Sequence, residues 1–222
     1  MTRGFVGLLT SLSLATVAIL IFFWSPLEQS MGIVQKIMYI HVPSILTTYL
    51  ALAVSLICSV GYLWKRKELF DIIAHSATEI GAVFCGLALA TGSIWGKPTW
   101  NTYWTWDARL TLTLVLFLIF VGYLLLRKFT DPGEQQARFC AIVAIVGALD
   151  IPLIHLSVVW WRTLHQKSTI LSPKGPSIDT PLLIMLLLSL GAFLLLFVYL
   201  LLTRIELEKN HRLYMQKMAD LF

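Results

Sequence analysis

The sequence predicts an all-α polytopic membrane protein with six transmembrane helices and both termini on the cytoplasmic side. Three observations carry that prediction. The 222-residue chain is 58% hydrophobic and only 13% charged, with a mean hydropathy of +0.79, whereas soluble domains are about half apolar and about a quarter charged. The apolar excess is gathered into six runs of about 20 residues, the number that a rise of about 1.5 Å per residue needs to cross roughly 30 Å of hydrocarbon. The runs are also continuous, as in LTLTLVLFLIFVGYLLL, without the period-two alternation of strands in a membrane barrel.

Taken in order, the first run is Phe5–Trp24. It is followed by SPLEQ rather than a small-x-small cleavage site, which makes it a span and not a signal peptide. The second, Pro43–Trp64, opens on a proline, whose missing N–H costs nothing in a first helical turn. The third, Thr78–Trp95, and the fourth, Ala108–Leu126, flank a tryptophan-rich connector. The fifth, Arg138–Trp160, contains Pro152 and should kink there. The sixth, Pro181–Thr203, has Asp179 and Thr180 in front of it as capping candidates. Beyond it, residues 204–222 read as a cytoplasmic tail that forms a surface helix or a partner contact. Residues 1–222 form a single membrane domain on this reading, with no internal repeat and no low-complexity linker.

Basic residues orient such a chain, because they are retained on the cytoplasmic side. With the N-terminus inside, only Lys36, Lys97, Arg109, Arg162, Lys167 and Lys174 of the 17 face outward. The net charge of +5 therefore reports topology and implies no nucleic-acid partner. Cys58, Cys85 and Cys140 fall inside spans without CxxC or CxxCH spacing, so they read as core thiols and not as a disulfide framework.

Three connectors then face outward: residues 25–42, 96–107 and 161–180. In the first, Met31, Val34, Ile37, Met38 and His41 follow three-and-four spacing, which predicts a helix lying along the interface. The third carries Trp160–Trp161, then Arg162 and His165. Between them runs WGKPTWNTYWTWDARLT, from Trp95 to Thr111. An interfacial aromatic belt accounts for single rings such as Trp24, Trp64 and Trp95, but it needs only one or two rings per span end. His41 and His165, one from each flanking connector, have the chemistry to supply both axial positions of a haem iron. Aromatic faces suit a flat conjugated ring. Arg109 and Arg162, with Lys97 and Lys167, are candidates to pair with propionates, arginine best because its planar fork matches a carboxylate. Asp150 and His155 lie inside the fifth span, where ionisable groups are functional candidates. They read as a secondary ligand or part of an entry path, or as a hydrogen-bonded pair beside Pro152. His75 and His211 carry no assigned role.

The strings YIHVPS, WGKPTWNTYWTWDARLT and WWRTLHQ resemble the haem-handling family of cytochrome c biogenesis, most closely its haem exporter C branch, over nearly the whole chain. The resemblance implies a haem-binding and transfer protein without catalytic turnover, which carries haem b as cargo. It places axial ligands at His41 and His165 and the aromatic platform at Trp95, Trp100, Tyr103, Trp104, Trp106 and Asp107. It implies delivery to a membrane-anchored haem chaperone, with an ATP-binding transporter pair and a small single-span membrane protein as further partners. The location implied is the bacterial inner membrane with the site on the periplasmic side, or the mitochondrial inner membrane. Asn101 stands where the family pattern has glycine, which puts the local backbone turn in question, and Tyr103 where a tryptophan is common. Two other classes compete. A b-type cytochrome subunit would set histidine pairs deep in the spans, where only His155 is a candidate. A solute permease would need a polar line through the spans, and that line is thin.

Overall fold

Six stretches of helix in the chain are long and apolar enough to cross a membrane: Arg3–Phe23, Ile33–Lys65, Glu68–Trp100, Ala108–Phe129, Glu134–Trp160 and Thr180–Met218. They come from a computed structural model that describes residues 2–161, 163–165 and 178–219. The elements are α1 (Thr2–Phe23), a 3-10 turn (Ile33–Ile37), α2 (Met38–Lys65), α3 (Glu68–Trp100), α4 (Ala108–Phe129), α5 (Glu134–Ala148), α6 (Asp150–Trp160) and α7 (Thr180–Ala219). Helices α5 and α6 share one span, broken at Leu149. Pro152 has no N–H to offer the Ala148 carbonyl, and Leu149 N bonds Val146 O at 3.1 Å instead of the carbonyl four residues back.

The centre of the bundle is the α2–α3 pair, against which α4, α5 and α7 pack, while α1 lies on α7. The α2–α3 seam is lined by small buried residues: Ala51, Ser55, Ala74, Ala77 and Thr78. Lipid gives helices no hydrophobic reason to associate, so close approach of small residues and interhelical hydrogen bonds take that role. Ser55 and Thr78 join their hydroxyls across the seam at 2.8 Å. At Gly81, where α3 meets both α2 and α4, an added Cβ would come within 2.8 Å of the Phe120 ring and 3.2 Å of Ala51 Cβ, so glycine lets both helices approach this closely.

Several helix boundaries differ from the hydropathy reading. Helix α3 starts at Glu68, ten residues before Thr78, and the inner connector shrinks to Arg66 and Lys67. Its first turns carry Asp71, His75 and Glu79, which look like loop residues until their partners are placed. Helix α7 runs unbroken for 40 residues to Ala219, about 60 Å and twice the hydrocarbon thickness, so the tail is a continuation of the last span. The first connector is not an interfacial helix. Glu28 accepts from Ser30 N, Ser30 Oγ and Met31 N at 2.9, 2.7 and 2.6 Å, and these bonds, the Ser30 hydroxyl foremost, hold its carboxyl below the usual range. A side chain that captures backbone N–H groups in this way competes with helix. The chain then turns at Gly32 (φ 56°), and α2 begins at Met38, leaving Pro43 in its second turn.

Arg3 pairs with Glu206, so both chain ends lie at the same end of the bundle. Here α7 is tied back to α3 and α4. Asp71 is nearly buried and takes both Nη atoms of Arg127, one at 2.9 Å, and Arg212 Nη2 at 2.7 Å. Arg212 also reaches Glu208 at 2.9 Å and Glu68 at 3.1 Å, and Arg204 pairs with Glu79. Removing one partner of such a buried pair leaves an uncompensated charge. Arg127→Met should therefore lower stability by about 3 kcal/mol, read as a lower unfolding midpoint in detergent, whereas Arg66→Met, whose pair with Glu134 is exposed, should change it by less than about 1 kcal/mol.

Candidate functional site

At the opposite end, the three outer connectors meet over one cavity. Its free volume is about 130 Å³, and it is partly open to the exterior. Its wall takes Met31 from the first connector, Trp100 and Trp104 from the second, and Leu164 and His165 from the third. Helix α2 contributes His41, Ile45 and Tyr49, spaced four apart and so on one face. Helix α3 contributes Ala88, Gly92 and Trp95, and α4 contributes Arg109 and Thr113.

His41 is held by α3. Its Nδ1 lies 3.0 Å from the Ala88 carbonyl oxygen. A carbonyl can only accept, so Nδ1 carries the proton and Nε2 keeps its lone pair, the tautomer that a metal ligand needs. Trp95 meets the ring edge-on at 5.8 Å. Gly92 makes room for it: a Cβ there would come within 2.9 Å of His41 Cε1. His165 is placed differently. Its backbone N donates to Thr163 Oγ1 and its carbonyl accepts from the same hydroxyl, both at 3.1 Å. Its ring lies 6.2 Å from that of Trp100. Both imidazoles and the Arg109 side chain line the cavity.

The tryptophan-rich segment is half helix. Helix α3 continues through Trp100 and ends where Asn101 adopts a left-handed conformation, φ 59° and ψ 16°. Asparagine is among the few residues besides glycine that tolerate this conformation at a helix end, so Asn101 preserves the turn that glycine would make. Lys97 Nζ caps the same end through the Asn101 carbonyl at 3.1 Å. Trp95, Trp100 and Trp104 line the cavity, while Tyr103 and Trp106 are 61% and 77% exposed. Trp106 buttresses Trp104 edge-on at 5.6 Å. Asp107 is the N-cap of α4, accepting from Leu110 N at 2.9 Å, and does not line the cavity.

Of the remaining candidates, Arg162 and Lys167 lie outside the described residues. His155 is on an exposed face of α6, its ring 5.4 Å from that of Tyr49. Asp150 is buried, and no hydrogen bond or ion pair joins it to His155 among the described residues. Sequence reasoning missed Met31 and Tyr49. The four-residue spacing of His41, Ile45 and Tyr49 is the signal that would have found the tyrosine.

A family model described as Heme exporter protein C matches residues 2–220. The chain belongs to that family. Proteins of the same name are 45% identical over 174 residues in Bradyrhizobium diazoefficiens, covering 78% of this chain and 66% of that relative, and 38% identical over 192 residues in Haemophilus influenzae, covering 83% and 75%. A mitochondrial cytochrome c biosynthesis protein of Marchantia polymorpha is 39% identical over 197 residues, covering 87% of this chain and 80% of the relative. The family match runs from the first helix to the end of α7, so it includes all three connectors that build the cavity.

If both histidines face one cavity, cysteines in their places should be joined by a short bis-maleimide. The double variant His41→Cys, His165→Cys should cross-link in good yield in detergent, since Cys58, Cys85 and Cys140 are buried and should not compete. The pair His41→Cys, Lys217→Cys, from opposite ends of the bundle, should not. Mass spectrometry of the linked peptides reads the result.

Proposed function

We propose that this chain binds haem on the outer side of the membrane, between His41 and His165 and against Trp95, Trp100 and Trp104, and delivers it to a membrane-anchored haem chaperone during cytochrome c maturation. The observation that carries the reading is the convergence of both imidazoles, three indoles and Arg109 on one cavity. Family membership supports it, since relatives are named heme exporters and one a cytochrome c biosynthesis protein.

The chemistry fits the cargo. An Nε2 lone pair on His41 and an imidazole on His165 offer neutral nitrogen ligands to an iron. The indoles offer apolar flat surface to a macrocycle. Arg109, with Arg162 as a further candidate, offers a guanidinium to the propionates. The protein's task on this reading is to hold and orient haem b and then release it, with no bond made or broken beyond iron ligation. Orientation follows the basic residues, with the cavity on the extracytoplasmic face of a bacterial or mitochondrial inner membrane. The chaperone, an ATP-binding transporter pair and a small single-span protein are the partners proposed from family resemblance.

The test is the absorption spectrum of the purified protein with haem. Wild type should give a low-spin bis-histidine spectrum, which His41→Ala and His165→Ala should each convert to another ligation state, and the double variant should abolish. A wild-type spectrum without bis-histidine ligation, or one unchanged in the double variant, defeats the proposal. The outer-shell support of His41 gives a second expectation. Gly92→Val should push the imidazole off the Ala88 carbonyl and weaken haem binding by about ten- to a hundredfold, the usual cost of losing a ligand's second partner, measured by haem titration.

A further inference from the structure

We propose that Tyr49 and Arg109 together anchor the ligand's carboxylates at the membrane-interior end of the cavity, so that a bound tetrapyrrole presents its carboxylate-free edge at the outer mouth. The inference rests on the haem reading above and deepens it. Tyr49 follows His41 by eight residues on the same face of α2, which sets it about 12 Å closer to the middle of the bilayer. Its hydroxyl is buried and makes no hydrogen bond of ordinary geometry among the described residues, with the Arg109 side chain beside it. Two threonine hydroxyls on this wall are used within their own helices: Thr99 donates to Trp95 O at 2.8 Å and Thr113 to Arg109 O at 2.8 Å. The Tyr49 hydroxyl has no such bond, and a buried hydroxyl left unpaired carries its full desolvation penalty.

Arg109 faces the same spot. It lines the cavity and lies beside the Tyr49 hydroxyl, and no carboxylate pairs with it among the described residues. Trp95 Nε1 and Trp104 Nε1 are also buried without a partner. Among these cavity-lining residues, the buried groups without an ordinary hydrogen bond are the Tyr49 hydroxyl and the two indole N–H groups, beside the Arg109 cation. An environment of unmet donors calls for a ligand that brings acceptors, and a charged acceptor above all. The His155 ring, 5.4 Å from that of Tyr49, buttresses the phenol from the α6 side. With the iron ligands His41 and His165 toward the connectors and the donor pair deeper, the two carboxylates, which share one edge of the macrocycle, point inward.

The experiment compares haem with its dimethyl ester, each titrated into the full-length protein in detergent. Wild type should prefer the free acid. Tyr49→Phe should reduce that preference on the order of tenfold, the effect of one hydrogen bond to a charged group. Arg109→Gln should reduce it further, and both variants should bind the ester as wild type does, with bis-histidine absorption intact. Equal wild-type affinity for acid and ester, or an unchanged preference in Tyr49→Phe, overturns the inference. In wild type, the carboxylates of bound haem should also resist a water-soluble carbodiimide with a charged amine. Rapid labelling would place that edge outward and overturn the orientation even if no variant accumulates. A wild-type spectrum without bis-histidine ligation overturns the haem reading itself, whereas a normal spectrum with unchanged preference overturns this inference alone.

Discussion

The close packing of α2 on α3 is the contact on which the rest of the molecule depends. It cannot rest on the hydrophobic effect, because lipid solvates an apolar helix as well as a neighbouring helix does. It rests instead on small side chains that let the two backbones approach, with Ala51, Ser55 and Ala77 fully buried along it, and on hydroxyls paired in a medium with no competing water. The bond from His41 to the Ala88 carbonyl lies at the outer end of this same seam. The imidazole is therefore oriented by the packing that holds the bundle together, and the site inherits that rigidity. Gly92 belongs to the same arrangement, since its missing side chain is the space the His41 ring occupies.

The two ends of the bundle treat polar groups in opposite ways. At the end that holds the termini, ionised side chains answer one another: Asp71 takes two guanidinium groups, and Arg204 and Arg212 take glutamates. That cluster fixes the extension of α7 to α3 and α4, with His75 Nδ1 the one buried atom in it that has no partner among the described residues. At the other end Tyr49, Trp95 and Trp104 bury groups that make no hydrogen bond of ordinary geometry among the described residues, around an open volume. Native structures rarely leave such groups unmet. A buried cluster that is satisfied stabilises the fold, while one that is unsatisfied beside a cavity points to something that comes and goes. On the proposed reading, the unmet groups beside the cavity are the ones a bound ligand would meet.

Hydropathy alone made the six spans legible, because spanning length and continuous apolar runs leave helix as the only economical answer. It failed wherever a polar residue lay inside the bundle. Glu68 and Asp71 look like a loop because their partners, Arg127 and Arg212, come from helices far away in sequence; for the same reason, the charged stretch after Thr203 looks like a detached tail. The first connector failed for a local reason. Glu28 gathers the N–H groups of Ser30 and Met31, a capture that no hydrophobic periodicity reports. At the site, the sequence identified the residue types and their connectors but not the wall between them. Tyr49 reads as an ordinary tyrosine in a span until its hydroxyl is found facing Arg109.

The two histidines stand on different kinds of element, and on the proposed reading that difference bears on haem transfer. His41 stands in the second turn of a 28-residue helix, its ring locked to a neighbouring helix. His165 stands beyond the end of α6, its backbone held by the Thr163 hydroxyl. On the proposed reading the two ligands therefore sit on different elements, so a displacement of the third connector relative to α2 changes their separation while His41 keeps its place against α3. With the carboxylates anchored at Tyr49 and Arg109, the haem stays oriented through that displacement. An acceptor approaching from outside would meet the same edge of the macrocycle each time, which a site without an inner anchor would not ensure.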